Sequence, residues 1–220
     1  MHPDFWHERW RTGRIGFHQP EVDHNLARHW GAIESSLHAG DRVFVPLCGK
    51  SLDLVWLRER GAEVMGVDIS DLALQAFCLE QGVPARRRTR QPFEVYEARA
   101  LELWSGDFFA LRPRDLAGVR AVYDRGALVS FAPDLRRGYA LHMAGLTEHG
   151  TQTLLVALEY PQAEMDGPPF ALDGAMIEGL YAAHHRVEVL ERRDVLDTDE
   201  RMRGRGVTAL HEVTYRLTRL

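Results

Sequence analysis

The sequence predicts an α/β fold of the Rossmann-like class, with a mostly parallel, seven-stranded sheet and helices on both faces. From residue 42 onward, short apolar runs alternate with amphipathic stretches, which is the pattern of strand–helix–strand units. The 220 residues are 45% hydrophobic and 27% charged, as in ordinary globular domains, and they suffice for one substantial core. We therefore expect a single domain over residues 1–220.

The segment before this alternation, residues 1–35, is rich in aromatic residues and has no strand pattern. Trp6 and Trp10 are four positions apart, so on a helix they would share one face. Such a face can anchor the segment on the core, or it can form a cover over a bound ligand. Periodicity alone allows both interpretations.

Seven apolar runs are predicted to be strands, because they are short, rich in β-branched and aromatic residues, and bounded by turn residues. In chain order they cover residues 42–46, 63–67, 101–104, 121–123, 153–158, 186–192 and 210–217. The last two close the sheet, and we expect one of them to be antiparallel.

Three stretches between the strands have helical periodicity. They cover residues 51–60, residues from an N-cap at Ser70 or Asp71 to the stop at Gly82-Val83-Pro84, and about residues 134–148. Gly61 ends the first helix, since glycine readily adopts the left-handed conformation of a helix C-terminus.

The charge balance argues against nucleic acids and membranes as partners. The formal charge is −5 and the pI is near 6.1, so the chain lacks the positive field that polyanions select. One basic run, residues 86–90, is predicted to be a solvated loop rather than an anion site. Only Cys48 and Cys78 are present, and the histidines have no zinc spacing. We expect a cytoplasmic protein without a bound metal.

Residues that follow the strands are candidates for ligand binding, because open α/β sheets bind ligands beyond the carboxyl ends of their strands. Gly49 follows the first strand and would let a ligand approach backbone N–H groups. Asp68 follows the second strand 19 residues later, close to the spacing at which an acidic residue holds a ribose diol. The pair indicates a nucleoside-bearing cofactor. The other residues at strand ends are Gly106, Asp107, Asp124 and Arg125.

The glycine pattern limits which cofactor fits. A P-loop would need a glycine at position 44, where the chain has Phe44. Gly49 stands alone where a dinucleotide fingerprint has three glycines, and the bulky Leu47 would keep pyrophosphate from the backbone. A phosphate-free cofactor such as S-adenosyl-L-methionine fits this loop better. A nicotinamide-dependent oxidoreductase of the Rossmann type stays as an alternative.

The segment Val43-Phe44-Val45-Pro46-Leu47-Cys48-Gly49-Lys50-Ser51-Leu52-Asp53 resembles the thiopurine S-methyltransferase family of the bacterial type, which has a Pro-Leu-Cys-Gly-Lys loop in place of the commoner glycine-rich methyltransferase motif. Further matches occur in order along nearly the whole chain, at residues 5–10, 16–19, 66–70, 106–109, 123–128, 159–160 and 167–170. The resemblance implies a class I methyltransferase fold whose N-terminal helical segment covers the active site.

The resemblance also implies roles for individual residues. Those at the family's cofactor-contacting positions, for S-adenosyl-L-methionine and its product S-adenosyl-L-homocysteine, are Trp10, Leu47, Asp68 and Arg125, with Trp6, Gly49, Gly106 and Asp107 nearby. Those on the substrate side are Phe17, His18, Pro169, Phe170 and Arg201. Arg125 is also the expected catalytic residue. Asp68 stands where family members often have glutamate.

The implied reaction is methyl transfer to the sulfur of aromatic or heterocyclic thiols such as thiopurines, and by extension to selenium or tellurium compounds in detoxification. A thiol is partly ionised near neutral pH, so no strong general base is required, and an arginine such as Arg125 would favour the thiolate. We expect Cys48 to pack rather than to act as a nucleophile, and the protein to be a monomer with a small-molecule substrate. A non-catalytic cofactor-binding module is the remaining alternative.

Overall fold

A computed structural model describes residues 3–220 of the chain. These residues divide into two compact units, an N-terminal unit that ends at Tyr123 and a C-terminal unit of residues 124–220. The prediction of a single domain over residues 1–220 stays a prediction. Residues 1 and 2, with which the predicted 1–35 cover begins, lie outside the described residues.

The N-terminal unit begins with three helices, as the absence of a strand pattern predicted. They are α1 (Pro3–Arg11), α2 (His24–His29) and α3 (Gly31–Glu34). Asp23 caps α2, because its carboxylate accepts hydrogen bonds from the backbone N–H groups of Asn25 and Leu26. The buried side chains Leu26, Trp30 and Ile33 hold α2 and α3 on the core.

Strands and helices then alternate through the rest of this unit. They are β1 (Arg42–Pro46), α4 (Asp53–Glu59), β2 (Glu63–Asp68), α5 (Asp71–Glu80), β3 (Arg86–Arg90), β4 (Phe93–Ala98), β5 (Leu101–Ser105) and β6 (Val119–Arg125), whose last two residues belong to the C-terminal unit. Ser70 is the N-cap of α5, as predicted, and its hydroxyl accepts a hydrogen bond from the Ala73 N–H.

The strand order of this part of the sheet is β3-β4-β5-β2-β1-β6. Strands β5, β2, β1 and β6 are parallel to one another, whereas β3 and β4 form an antiparallel hairpin that pairs with β5. The strand β1 is apolar over most of its length because both of its faces are buried, and Val43, Phe44 and Val45 are all buried.

The C-terminal unit continues the α/β pattern. Its elements are α6 (Pro133–Leu146), β7 (Gln152–Glu159), α7 (Gly174–Tyr181), β8 (His185–Asp194), α8 (Glu200–Gly204) and β9 (His211–Arg219). Strand β9 lies between β7 and β8 and is antiparallel to both. The expectation of an antiparallel strand at the end of the chain is therefore confirmed.

The α/β class and the parallel central strands are confirmed, but residues 3–220 contain nine strands rather than seven. The two additional strands are β3 and β4, and β3 is the basic run of residues 86–90. The prediction of a loop there was wrong because every residue of β3 is exposed, so the strand has no apolar face to reveal it. Its exposure to solvent was predicted correctly.

Three of the four arginines of β3 have acidic neighbours. Arg87 lies 3.1 Å from Glu94, and Arg88 lies 2.7 Å from Glu97, both on the adjacent strand β4. Arg90 stacks on the Trp104 ring, with 4.6 Å between the guanidinium carbon and the ring centroid. This run is thus a charged sheet edge rather than an anion-binding patch.

Within residues 3–220, no helix combines the length and hydropathy needed to cross a bilayer.

Candidate functional site

The loop after β1 has an unusual backbone conformation. Leu47 has φ 48° and Gly49 has φ 52°, both in the left-handed region. A residue with a bulky side chain seldom adopts this conformation, and where it does the strain often marks a binding site. The loop is tied to β2, because the Cys48 N–H donates a hydrogen bond to the Val67 carbonyl at 2.9 Å. Helix α4 begins at Asp53 rather than at the predicted Ser51, so Gly49 lies in a turn.

Close packing, in addition to the left-handed backbone conformation, requires glycine at position 49. A Cβ atom built on Gly49 would lie 2.9 Å from the indole ring of Trp10, closer than real side chains approach. The indole of Trp10, which is only 9% exposed, therefore packs directly on the backbone of the loop. This contact brings two predicted cofactor residues together, from helix α1 and from the loop after β1.

The carboxylate of Asp68, at the end of β2, organises the same loop. One oxygen accepts a hydrogen bond from the Gly49 N–H at 2.8 Å, and the other accepts one from the Ser70 N–H at 2.8 Å. Burial raises the pKa of Asp68 to about 6, although the two N–H donors and the nearby His7 act in the opposite direction. A buried carboxylate with a perturbed pKa at a strand end is a functional-site candidate.

Gly106 and Asp107 follow β5, the other neighbour of β2. The Gly106 N–H donates to the backbone carbonyl of Asp68 at 2.9 Å, so Gly106 lies beside the predicted ribose-binding residue. A Cβ on Gly106 would lie 2.5 Å from the Phe93 ring, so the position admits only glycine. Asp107 is exposed, and its carboxylate accepts a hydrogen bond from the Phe109 N–H as a helix cap.

The N-terminal aromatic residues form one cluster. The Phe17 ring meets the rings of Trp6 and Trp10 edge to face, at centroid distances of 5.5 and 5.4 Å. The adjacent His18 donates its backbone N–H to the Ile15 carbonyl at 2.8 Å, which closes a turn. Since Trp10 packs on Gly49, the cluster continues to the loop after β1. That it covers a ligand stays a prediction.

The C-terminal unit holds the other predicted residues. Arg125 ends β6, and Arg201 lies on α8. Arg201 is exposed, although partial desolvation of its guanidinium lowers its pKa, and the positive charges of Arg205 and Arg125 add to this effect while Asp199 opposes it. The charge of one predicted arginine thus acts on the other.

A braced loop carries Pro169 and Phe170. The Tyr160 hydroxyl donates to the Pro169 carbonyl at 2.6 Å, and the Phe170 N–H donates to the Val129 carbonyl at 2.7 Å. Gln162 accepts a hydrogen bond from the Ala171 N–H and donates to the Met165 carbonyl. These bonds hold the loop in one shape, which suits a segment that contacts substrate.

Asp124, near the end of β6, has a structural role. Asp124 is buried, and its carboxylate accepts hydrogen bonds from the Tyr139 hydroxyl at 2.7 Å and from the Leu128 N–H at 3.1 Å. Burial raises the pKa of Asp124 to about 6.

Cys48, in the loop after β1, is 6% exposed. Burial raises the pKa of its thiol, and the negative charge of Asp68 raises it further. Its sulfur occupies the space where a Cβ of Gly66 would lie, at 2.7 Å, which is the packing role expected for it.

In the N-terminal unit, then, the structure places the following predicted residues around one loop: Trp6, Trp10, Phe17, Leu47, Gly49, Asp68 and Gly106. Sequence analysis missed His7, whose charge acts on Asp68, and Tyr160 and Gln162, which hold the loop of Pro169 and Phe170 in place. Helical spacing could have suggested His7, since it lies three positions before Trp10. The bracing of a loop has no pattern in the sequence.

The sequence of this chain is similar to those of known proteins of one family. The family model described as thiopurine S-methyltransferase matches residues 1–220. A thiopurine S-methyltransferase from Pseudomonas fluorescens (strain SBW25) is 46% identical over 217 residues, which cover 99% of each chain. One from Nitrosospira multiformis is 42% identical over 217 residues, which cover 99% of this chain and 98% of the relative.

Among solved structures, an S-adenosylmethionine-dependent methyltransferase from Anabaena variabilis superposes with a TM-score of 0.65 at 12% identity, covering 99% of this chain and 95% of its own. At such low identity the likeness shows the fold alone, and it confirms the expected class I methyltransferase fold.

Proposed function

This chain belongs to the thiopurine S-methyltransferase family, and we propose that it transfers a methyl group from S-adenosyl-L-methionine to the sulfur of aromatic and heterocyclic thiols, thiopurines included. The observation that carries the proposal is the full-length family match combined with the loop in which Gly49, Trp10 and Asp68 meet. The chain is accordingly a methyltransferase, and its acceptor is the part that requires a test.

The residues of this loop suit an adenosyl cofactor. The carboxylate of Asp68 accepts hydrogen bonds, which is what a ribose diol requires, and it is held in place by two backbone N–H groups. The left-handed backbone at Leu47 and the close packing of Trp10 on Gly49 place two bulky apolar residues in this loop, where a phosphate-binding loop would have glycines. S-adenosyl-L-methionine supplies a methyl group on a positively charged sulfur when it is bound. We assign Trp10, Leu47, Asp68 and Arg125 to its binding, with Trp6, Gly49, Gly106 and Asp107 in supporting positions.

Arg125 is our candidate for assisting the reaction. A cation near the acceptor favours the thiolate over the thiol, and the thiolate is the better nucleophile. Arginine cannot itself take the proton, so the thiol proton goes to water and leaves the thiolate. As the new sulfur–carbon bond forms, the bond between the methyl group and the sulfonium sulfur of the cofactor would break, with S-adenosyl-L-homocysteine as the leaving group. Arg201 adds positive charge in the same unit. We assign Phe17, His18, Pro169, Phe170 and Arg201 to the substrate side, where aromatic rings would pack against an aromatic thiol.

The acceptor is tested by a methyl-transfer assay with labelled cofactor against aromatic thiols, thiopurines, and selenium and tellurium oxyanions. We expect transfer to aromatic thiols, and transfer to the oxyanions would support the wider role in detoxification. Binding of S-adenosyl-L-homocysteine without transfer to any acceptor would instead favour the non-catalytic module.

The cofactor is tested separately by calorimetric titration with S-adenosyl-L-homocysteine and with NAD. Tight binding of NAD alone would overturn the proposal in favour of a nicotinamide-dependent oxidoreductase. We also propose that the protein acts as a monomer in the cytoplasm, which is consistent with its two free cysteines and its net negative charge.

A further inference from the structure

Arg136, on helix α6 of the C-terminal unit, is a buried cation with an incomplete set of partners. Its side chain is only 5% exposed. The Nε group donates a hydrogen bond to the Phe131 carbonyl at 3.1 Å, and Nη1 contacts the sulfur of Met176 at 3.7 Å. The Nη2 atom is buried and has no hydrogen-bond partner. A guanidinium has five N–H donors, and thioether sulfur is a weak acceptor, so most of this hydrogen-bonding capacity is unused.

Within the described part of the chain, no acidic side chain compensates the charge of Arg136. Among residues 3–220, no carboxylate oxygen lies within 4.0 Å of the Arg136 guanidinium, whereas most surface arginines of β3 and β9 have such a partner. Burial lowers the pKa of Arg136, and Tyr160 is the group that opposes this effect. An unpaired buried charge destabilises a fold, so its presence calls for an explanation outside the folded chain itself.

The groups that cover Arg136 are suited to admit a ligand. On one side is the Phe170 ring, whose centroid is 5.8 Å from the guanidinium carbon, in the loop that Tyr160 holds in place. On another is Met176, which is 46% exposed and flexible. Movement of the Met176 side chain alone would replace a weak sulfur contact by a stronger acceptor. The Arg136 guanidinium therefore lies between the Phe170 ring, which is held in place, and the Met176 side chain, which can move.

We propose that Arg136 binds an oxyanion carried by the substrate, so that the enzyme prefers thiols bearing a carboxylate. After Met176 moves, the N–H groups of Nη1 and Nη2 would donate hydrogen bonds to the two carboxylate oxygens side by side, while the Phe170 ring lies against the organic part of the substrate. This inference rests on the proposed function, because it names the acceptor class within it. It makes Arg136 a specificity-determining residue distinct from Arg125 and Arg201.

The test compares two aromatic thiols that differ only in charge, 4-mercaptobenzoate and 4-mercaptobenzamide. We expect the wild-type protein to prefer the benzoate, and R136M, which keeps an apolar stem, to lose about tenfold or more in kcat/KM for it, mainly through KM. The amide should change by no more than about twofold. R137M is the matched control, because Arg137 is the exposed neighbour on the same helix and its variant should treat both thiols as the wild type does.

A second variant guards against misfolding of R136M. R136K keeps the charge but loses the fork, so it should also impair the benzoate more than the amide. Equal losses for the two thiols in both variants, or no loss in either, would overturn the proposal. Calorimetric binding of 4-(methylthio)benzoate and its amide in the presence of S-adenosyl-L-homocysteine tests Arg136 without turnover. Absence of methyl transfer to any thiol would refute the proposed function, while charge-selective binding lost in R136M would still support the role of Arg136.

Discussion

Replacement of Gly49 should directly disturb the loop after β1, to which we assign cofactor binding; this loop, residues 47–51, is called the cofactor loop below. An alanine there would be strained at φ 52° and would place its Cβ against the Trp10 indole. We expect Gly49→Ala to reduce the affinity for S-adenosyl-L-homocysteine and to destabilise the fold by about 1–3 kcal/mol. Gly138→Ala is the control, since a Cβ at this helical position meets nothing within 4 Å. Calorimetry and thermal unfolding measure both effects, and an unchanged affinity in Gly49→Ala would contradict the assignment.

Asp68 should make cofactor binding depend on pH. Because burial raises its pKa to about 6, the carboxyl group becomes protonated as the pH falls through 6 and then accepts fewer hydrogen bonds. Ribose hydroxyls prefer the ionised form, so the dissociation constant of S-adenosyl-L-homocysteine should rise below pH 6 and be flat above pH 7. Removing the acceptor in Asp68→Ala should weaken binding by about 1–3 kcal/mol at pH 7.5.

Asp68→Asn separates this titration from that of Asp124, whose pKa is also raised to about 6. The pH dependence below 6 should disappear in Asp68→Asn, because asparagine does not ionise. A profile identical to that of the wild type would show that another group is responsible. Titrations at several pH values in buffers of matched ionic strength supply the comparison.

Single residues differ in how well the sequence indicates them. Gly49 and Asp68 were predictable, because a strand end, a glycine and an acid at the ribose spacing form a local pattern. Arg136 was not, because one arginine on an amphipathic helix normally points to solvent. Its surroundings include Phe170 and Met176, which lie far from it along the chain and are brought to it only by folding.

Helix α1 is the element that connects the N-terminal segment to the cofactor loop. Phe17 supports it by packing on Trp6 and Trp10, and Trp10 in turn packs on Gly49. We expect Phe17→Ala to raise the dissociation constant of S-adenosyl-L-homocysteine about threefold to tenfold, the effect of losing an aromatic pair. Phe17→Leu, which keeps apolar bulk, should recover part of the affinity.

The same element should become protected when ligand binds, if it forms a cover. Limited proteolysis between residues 11 and 23 should slow on addition of S-adenosyl-L-homocysteine in the wild type, and less so in Phe17→Ala. Equal cleavage rates with and without ligand would leave α1 as an anchor and remove the cover from the proposal.

Several elements with an apolar face were predicted well, whereas the hairpin of β3 and β4 was missed, although β4 buries Phe93, Val95 and Tyr96. Strands β1 and β2 and helix α6 were found within a few residues of their bounds, because burial on a sheet or helix face imposes a period on the sequence. Strand β3 was missed because its stability comes from backbone pairing with β4 and from ion pairs such as Arg88 with Glu97. Neither contribution selects apolar residues.

The stability of the whole molecule should fall in mild acid because of His185. Burial, together with the positive charge of Arg219, lowers its pKa to about 4, so the folded protein binds fewer protons than the unfolded chain between pH 6.5 and 4. The neutral His185 therefore contributes to the free energy of unfolding above pH 6.5, and this contribution is lost as the pH falls toward 4. After allowance for solvent screening, we expect a loss of about 1–2 kcal/mol.

His185→Phe isolates this contribution, because phenylalanine keeps an edge contact with Tyr181 and does not titrate. The difference in unfolding free energy between the two proteins, measured by denaturant titration from pH 7.5 to 4, should shift in favour of the variant as the pH falls. Asp68 and Asp124 have raised pKa values and act in the opposite sense, but they are common to both proteins. A difference independent of pH would contradict the assignment.

At the scale of the whole chain, the α/β class and the methyltransferase family were accessible from the sequence, since both depend on the order of motifs. The acceptor was less accessible, because specificity depends on side chains such as Arg136 that are brought together only by folding.

The burial of Cys48 also determines whether the protein would methylate its own thiols under the proposed function. The chain has two cysteines, and burial raises the pKa of both thiols, so few of them are ionised at neutral pH. Cys48 lies within the cofactor loop, yet its sulfur faces Gly66 and is sealed from solvent. Prolonged incubation with labelled cofactor and no acceptor should therefore leave the protein unmethylated by mass spectrometry, and the catalyst should not inactivate itself between substrates.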